Sequence, residues 1–552
     1  MEKTTMSRHT ACKFAPKKRH KQVQLRCQLL EDRMTPTVSV FSPIGAIGDP
    51  ITLPMIPALH TPGAPGSPPS NGYVEGGSSS TGTVNSTAVA TDSFGDAYQT
   101  GSFSGTVQFG NITLTAKGSS DIFVAKYSST GSLSWAEDIG GAGGTAASNW
   151  IAVDGMGNVY LTGYFLGTVN FGTQGSTHNL TSVYPGNPNA FVEKLTSLGS
   201  YSYADQIGAG GPALGTSITV DSQGNAYITG YFAGTVNFNP HGTNTFSSSD
   251  GGQNTNAFVE KLSLSGNYVW ADDIGYGSNS YGEGIAVDSS GRVYSTGYFT
   301  GTGQFAPGTF SHSFESSNNG SDTNSYVSVL SSTGAYVSSY LLGYGGMTEA
   351  FGVAVDKSDN IYVTGDFSGT VNFGSTAVTS SNAGGNINAF VVKLTNSGKV
   401  SWVDDLGAGS TAYGISISVS SSGNVYTVGA FSGTGNFNPN GTSYLTASGN
   451  GTQYNGYLTE LSSSGKFVTD AVFGYGASQI DVGNVVVGAN GKVYINGDFM
   501  GAGVTFNTPG SGATTLSSPN SESQYLLELG GSRFSTPVIP SFPFFMAPMI
   551  PV

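Results

Sequence analysis

One tyrosine returns seven times in nearly the same setting, VYxTG: Tyr98, Tyr160, Tyr227, Tyr294, Tyr362, Tyr426 and Tyr494. The successive intervals are 62, 67, 67, 68, 64 and 68 residues. Self-similarity at a fixed period confines a chain to repeat architectures, and the content of the unit selects among them. The copy at 284–342 reads GIAVD, VYSTGYF, SYVSVL and YVSSYLL, four short segments rich in β-branched and aromatic residues and bounded by Gly, Ser and Asn. Such segments are strands, and no copy shows the apolar period of a helix. Four antiparallel strands repeated seven times predict an all-β chain, a seven-bladed β-propeller.

The turns agree. DSSGR (288–292), DSQGN (221–225) and DGMGN (154–158) join the first two strands. An Asp opens such a turn and a Gly three residues on accepts positive φ. Copies six and seven replace the Asp with Ser420 and Gly488, and copy five has Asp359 where Gly is usual. That variability makes the Asp a turn former, so no metal site is predicted there.

Further motifs accompany each copy: GTVNFG, then AFVEKL or IFVAKY, then SxSGNYVWADDIG and GIAVDSSGRVYSTG. This run resembles the bacterial SBBP-type β-propeller repeat over about residues 70–530. The resemblance implies the same fold and an extracellular or envelope setting, and it carries no activity with it. The stretch LLEDRMTP, residues 29–36, resembles the LEDR-TP leader of planctomycete-type secreted proteins, which implies export. The expected organisation is a basic leader (1–36), a Pro-rich linker (37–69), the propeller (70–531) and a Pro-rich apolar tail (532–552).

Third strands are expected at Phe123, Phe191, Phe258, Tyr326, Phe390, Tyr457 and Tyr525. No outer strand follows Tyr525, whereas SNGYVEGG (70–77) precedes the first copy. Tyr73 lies 19 residues before Asp92, much as Tyr268 lies 20 before Asp288. Tyr73–Gly76 is therefore predicted to complete the last blade and remove its open edge. The phenylalanines of TGxFxGTVNF recur as pairs, such as Phe232 and Phe238 or Phe367 and Phe373. Each pair is expected to pack against the neighbouring blade.

Charge excludes one class of function. Residues 1–33 hold nine of the twenty Lys and Arg against three acids, leaving eleven bases against thirty-one acids in the rest, a net of −20. A body of that sign repels phosphate backbones, so no nucleic-acid partner is expected. Cys12 and Cys27 both lie in the leader, which leaves the propeller without disulfides or thiolate ligands. No 18-residue apolar run supports a transmembrane helix, and no apolar core of a standard signal peptide follows the basic residues.

Catalytic patterns are scarce. His178, His241 and His312 are scattered over long loops, and no HExxH, GxSxG or P-loop pattern occurs. No cofactor is implied. The acid pairs Glu137/Asp138, Asp272/Asp273 and Asp404/Asp405 end outer strands. Neighbours on a strand face opposite ways, unlike a glycosidase pair, so these acids are expected to solvate and protect an exposed edge.

Departures from the repeat carry more information. Seven residues before the turn Asp position the copies read Asn85, Ala147, Leu214, Tyr281, Glu349, Tyr413 and Asp481, and Glu283 is unique to its blade. The connections between second and third strands run to about twenty residues, and the face they leave from is expected to be functional. Tyr281, Glu283, Glu349, Tyr413 and Asp481 are therefore the candidate ligand-binding rim, suited to a sugar or a cation. The expected function is a monomeric, non-enzymatic, secreted or cell-envelope scaffold that binds a protein or polysaccharide. The alternative is a carbohydrate-active lyase or hydrolase acting in the channel through Glu349, Asp481 and a tyrosine.

Overall fold

The computed structural model describes residues 74–76, 78–79, 82–183, 186–306, 312–451, 453–508 and 512–530. Over them the chain forms seven four-stranded antiparallel sheets in a ring, the predicted seven-bladed β-propeller. Chain order within a blade runs from the innermost strand outward. Blade 1 consists of Val84–Thr91, Ala97–Phe103, Asp121–Tyr127 and Leu133–Ile139. Blade 4 consists of Tyr276–Val287, Val293–Gln304, Asn324–Leu330 and Tyr336–Leu342. Helical turns among the described residues are four residues long, such as Ser317–Gly320, and even there Asn318 and Asn319 are left-handed.

The fold's two ends meet in blade 7. Val74–Gly76 runs antiparallel to the third strand Gly512–Leu529, with Val74 opposite Leu527 and Gly76 opposite Tyr525. The expected closing strand is in place. Tyr73, its predicted first residue, lies outside the described residues, as do the leader, the linker and the tail. Asn484 of blade 7 fastens the other side of the seam. Its Oδ1 accepts from the amide of Val89 at 2.6 Å and its Nδ2 donates to the Val89 carbonyl at 3.0 Å.

The turn aspartate has two tasks. Asp288 Oδ1 accepts from the amides of Ser290 (2.8 Å) and Arg292 (2.9 Å), which fixes the turn. Its Oδ2 accepts from the hydroxyl of Tyr294 at 3.0 Å, so the repeated tyrosine is buried with its polar end satisfied. Asp92, Asp154, Asp221 and Asp356 hold Tyr98, Tyr160, Tyr227 and Tyr362 in the same way. In those four blades a lysine ammonium (Lys126, Lys194, Lys261, Lys393) also lies 4.7–4.9 Å from the tyrosine ring centroid, a cation–π contact.

The phenylalanine pairs lie between blades as expected, with a third ring added. Phe238 is 5.4 Å from Phe232 and 4.9 Å from Phe258 of the third strand, centroid to centroid. Together with Ile228, Val236 and Leu262 these rings face Tyr160, Ala190, Val192 and Ile207 of blade 2. Clusters of the same make-up fill the other six junctions. The second phenylalanine reaches the cluster because the long connection is itself folded. Thr235–Asn237 pairs with Thr245–Ser247 as a small hairpin arm beyond the second strand. The amide of Ala209, in the connection entering blade 3, bonds the carbonyl of Asn237 at 3.0 Å. Arms and inward connections thus share one face of the ring.

Candidate functional site

On that face each innermost strand carries one residue more than its partner. Ser86 lies opposite Gly101 and Ala88 opposite Thr100, leaving Thr87 over. Asn149, Thr216, Glu283, Phe351 and Ile415 are the extra residues of blades 2 to 6, and in blade 7 the irregularity falls at Gly483 and Asn484. Such a bulge bends the strand and re-aims its side chains. It also presses the carbonyl of each rim residue onto the glycine of VYxTG. A Cβ on Gly297 would lie 1.9 Å from the Tyr281 oxygen, and one on any of the other six glycines would lie 1.8–2.0 Å from the corresponding carbonyl oxygen. The repeated glycine is therefore required by close backbone approach. In blades 4, 6 and 7 the third strand has Tyr in place of Phe. The hydroxyls of Tyr326, Tyr457 and Tyr525 donate to the carbonyls of Tyr281, Tyr413 and Asp481 at 3.2, 3.1 and 3.1 Å.

The bulged residues divide the ring. Thr87 Oγ1 donates to the carbonyl of Ser148 (2.8 Å), Asn149 Nδ2 to Gly215 (2.7 Å) and Thr216 Oγ1 to Gly282 (2.7 Å), each reaching the next blade. In blades 4 to 7 the corresponding residues are Glu283, Phe351, Ile415 and Gly483. There the rim becomes aromatic. Tyr231 meets Tyr281 edge-on at 5.1 Å, Tyr281 stacks on Tyr298 at 5.0 Å, and Tyr298 meets Phe351 at 6.2 Å. This ladder crosses blades 3 to 5, with Tyr281, Tyr298 and Phe351 half-buried. Burial, reinforced by the charge of Glu283, pushes the Tyr231 phenol well above its ordinary range.

The predicted rim residues are thus only partly brought together. Tyr281 and Glu283 share one strand beside the ladder. Glu349, Tyr413 and Asp481 stand on blades 5, 6 and 7, half-buried, buried and half-buried. Glu349 lies directly opposite Asp366 and Asp481 opposite Asp498, so blades 5 and 7 each hold a cross-strand carboxylate pair whose second-strand member is buried. Like charges so placed repel. At blade 7 the amide of Ser86 in blade 1 donates to Asp498 Oδ1 at 3.2 Å. Tyr231, Tyr298, Phe351, Asp366 and Asp498 were missed from the sequence. A signal existed for four of them. The residue after the TG glycine reads Ser102, Tyr164, Tyr231, Tyr298, Asp366, Ala430 and Asp498, variable between two fixed neighbours.

The outer acid pairs need a correction. They do not solvate an exposed edge, because the following blade covers the outer strand: a Cβ on its turn glycine Gly334 would lie 3.1 Å from Asp272 Oδ2. Burial pushes Asp272 and Asp273 up to about 7. Asp273 accepts from Asn256 Nδ2 at 2.8 and 2.9 Å, and Asp138 pairs with Lys117 at 3.0 Å. The histidines are engaged as well. His178 stacks on Tyr201 at 5.2 Å, His241 pairs with Asp205 at 3.2 Å, and His312 lies 4.9 Å from Tyr336. Among the described residues no three His, Cys, Asp or Glu side chains gather as a metal ion needs. On the opposite face a polar groove of about 420 Å³ lies between blades 3 and 4, lined by Asp221, Gln223, Lys261, Asp288 and Ser290. Its two aspartates already serve the turns.

A seven-bladed propeller with an aromatic and acidic rim is the class of protein that this fold and site define. The model of the β-propeller repeat family (SBBP) matches residues 203–231, one outer strand of blade 2 and the two inner strands of blade 3. An uncharacterized WD repeat-containing protein of Acanthamoeba polyphaga mimivirus is 33% identical over 195 residues, covering 32% of this chain and 14% of that protein. Among solved structures, a catalytically inactive virginiamycin B lyase from Staphylococcus aureus with quinupristin is similar at 8% identity. That likeness covers 82% of this chain and 99% of the lyase, with a TM-score of 0.41. A gluconolactonase of Xanthomonas campestris is similar at 13% identity over 67% of this chain and 90% of its own, with a TM-score of 0.26. Neither likeness bears on what this chain binds or turns over.

Proposed function

We propose that the chain is a non-catalytic recognition module, secreted or held in the cell envelope, whose hairpin face binds a polysaccharide. The aromatic ladder Tyr231–Tyr281–Tyr298–Phe351 carries this reading. Fixed ring faces stack on the apolar faces of sugar units, and Glu283 and Glu349 supply acceptors for their hydroxyls. The hydroxyl of Tyr326, bonded to the Tyr281 carbonyl, and the Gly297 contact hold the ladder rigid, so little side-chain entropy is lost on binding.

Titration of the whole chain against a panel of neutral and acidic polysaccharides tests the proposal. Tyr281→Ala is expected to weaken binding on the order of tenfold, about 1.4 kcal/mol, while Tyr444→Ala, an exposed tyrosine on the blade 6 arm, leaves it unchanged. Retention of full affinity by Tyr281→Ala would sink the reading. Release of reducing or unsaturated sugar ends, lost in the Glu349→Gln, Asp481→Asn variant, would replace it with an enzyme.

A further inference from the structure

The face opposite the hairpin arms carries the short turns, and there too the copies disagree. Two residues after the turn Asp position they read Phe94, Met156, Gln223, Ser290, Ser358, Ser422 and Asn490. Phe94 and Met156 are 76% and 80% exposed. In the turns between third and outer strands, blades 2 and 3 place Leu198 and Leu264, 72% and 50% exposed, where blades 4 to 6 have only Ser, Thr, Asn and Gly. Exposed apolar side chains gathered on one side of a surface mark something that covers them.

These four residues follow one arc. A Cβ on Gly157, next to Met156, would lie 3.1 Å from the hydroxyl of Tyr98 in blade 1 and 3.2 Å from Ser197, next to Leu198. Lys194 Nζ of blade 2 donates to the carbonyl of Leu264 in blade 3 at 3.3 Å.

The chain leaves the described fold at the head of this arc. Leu529 lies opposite Val493, which directly follows the blade 7 turn. That turn reaches into blade 1: Lys492 Nζ donates to the carbonyl of Ser129 at 3.1 Å and the hydroxyl of Tyr494 to that of Gly95, beside Phe94, at 3.0 Å. From there the chain continues as GSRFSTPVIPSFPFFMAPMIPV, residues 531–552, with eleven Phe, Ile, Val, Met and Ala residues, five prolines, one basic residue and no acid. Five prolines rule out a helix or a central strand. Extended at about 3.1 Å per residue, such a segment spans roughly 70 Å.

We propose that residues 531–552 dock across the short-turn face of blades 1 to 3 and cover Phe94, Met156, Leu198 and Leu264. The occupant is this segment rather than a second copy, because the apolar arc starts where the segment leaves the fold and fades by blade 4. This site is on the far side of the ring from the proposed polysaccharide rim, so either reading can fail alone.

Disulfide trapping tests it, since outside Cys12 and Cys27 the chain has no cysteine. In the full chain with Cys12→Ser and Cys27→Ser, Ser93→Cys paired with Phe544→Cys is expected to close within one molecule. It should do so several-fold faster than Lys357→Cys with Phe544→Cys, the equivalent turn in blade 5, read by non-reducing electrophoresis and intact mass in dilute protein. Truncation after Gly530 with unchanged thermal unfolding is expected to raise apolar-dye binding, and Phe94→Ser with Met156→Ser removes that rise. Equal trapping rates at the two turns overturn the proposal. Disulfides forming only between molecules overturn it in favour of a second copy, and Phe94-dependent binding of the full chain to phosphatidylcholine vesicles does so in favour of a lipid surface.

Discussion

The hydroxyl of Tyr426 donates to Glu460 Oε1 on the third strand at 2.9 Å, whereas five other blades turn the same tyrosine to an aspartate of the turn. Two changes in blade 6 belong together. Ser420 has replaced the turn aspartate, and Glu460 stands where Lys126, Lys194, Lys261 and Lys393 stand elsewhere. The acceptor has moved from turn to strand, and the cation over the ring is gone. A buried hydroxyl left without an acceptor costs about 1–3 kcal/mol. Glu460→Lys alone is therefore expected to destabilise by about that amount, and adding Ser420→Asp to recover most of it, since the pair rebuilds the common arrangement. Urea unfolding of the four members of the cycle checks this; strictly additive effects would rule out the compensation.

Much of this architecture was legible because it is written seven times. The period fixed the number of blades, and an orphan YVEG segment ahead of the first copy pointed to the closing strand. What stayed hidden was short or non-local. Thr235–Asn237 is three residues long, too brief for a strand pattern to register, and its partner lies in a stretch without repeated residues. The bulge that leaves out Glu283 has no residue signature of its own, so its consequence, the glycine held against the Tyr281 carbonyl, went unread. Asp366 and Asp498 were not legible from the innermost strand alone, because the rim is built by two strands in register. The outer acids misled for another reason. An outer strand is an edge within its own blade, and nothing local tells that the next blade's turn lies over it.

Those acids give the protein an unusual response to pH. Burial raises Asp272, Asp273 and Asp404 to about 7 and Asp138 and Asp405 to about 6, from an ordinary 3.8. The folded chain thus keeps protons that the unfolded chain has released, and the stability they bring is present in acid and lost as pH rises through 6 to 7. Asp288 and Asp356 act in the opposite sense. Burial alone would raise them, but hydrogen bonds from Ser290 and Arg292, and from Asn360, hold them below the usual carboxylate range. Their contribution is lost as pH falls below about 4. The thermal midpoint is expected to peak at about pH 4 and to decline toward pH 8. Asp272→Asn should raise the midpoint at pH 8 and leave it unchanged in acid. Scanning calorimetry over that range decides, and a midpoint that climbs toward pH 8 would contradict the burial of these carboxyls.

The ring triads should dominate blade packing. Phe238 is fully buried among Phe232, Phe246 and Phe258. Phe238→Ala removes a whole ring from a junction that cannot collapse around the gap, with an expected cost of about 3–5 kcal/mol. Tyr444→Ala, a change of similar size at an exposed position, is expected to cost little. Chemical denaturation of the two variants separates packing from mere loss of an aromatic.

The seam between blades 7 and 1 depends on a side chain that other junctions lack. Asn484 satisfies both backbone groups of Val89, and truncating it orphans a donor and an acceptor in a buried strand edge. Asn484→Ala is expected to cost about 1–3 kcal/mol and to raise hydrogen exchange at Val89 first. Ser217→Ala, at the same register in blade 3, is expected to change exchange there far less. Uniform loss of protection around the whole ring, with no local opening at Val89, would show that the seam is not a separate weak point.

The rim offers the sharpest contrast between two small changes. At Gly297 an added methyl would sit 1.9 Å from the Tyr281 carbonyl oxygen, and both atoms belong to strands pinned by their ladders. Gly297→Ala must push the bulge aside, at about 1–3 kcal/mol or more, and displace Tyr281 from its place against Tyr298. Tyr326→Phe deletes only the hydroxyl that holds the same carbonyl. Blades 1, 2, 3 and 5 already have Phe at that position, so the fold accepts it at about 1 kcal/mol. Near-ultraviolet circular dichroism, which reports the packing of the tyrosines, should change markedly for Gly297→Ala and slightly for Tyr326→Phe, and polysaccharide affinity should follow the same order. Equal effects of the two would mean that the bulge does not set the position of the ladder.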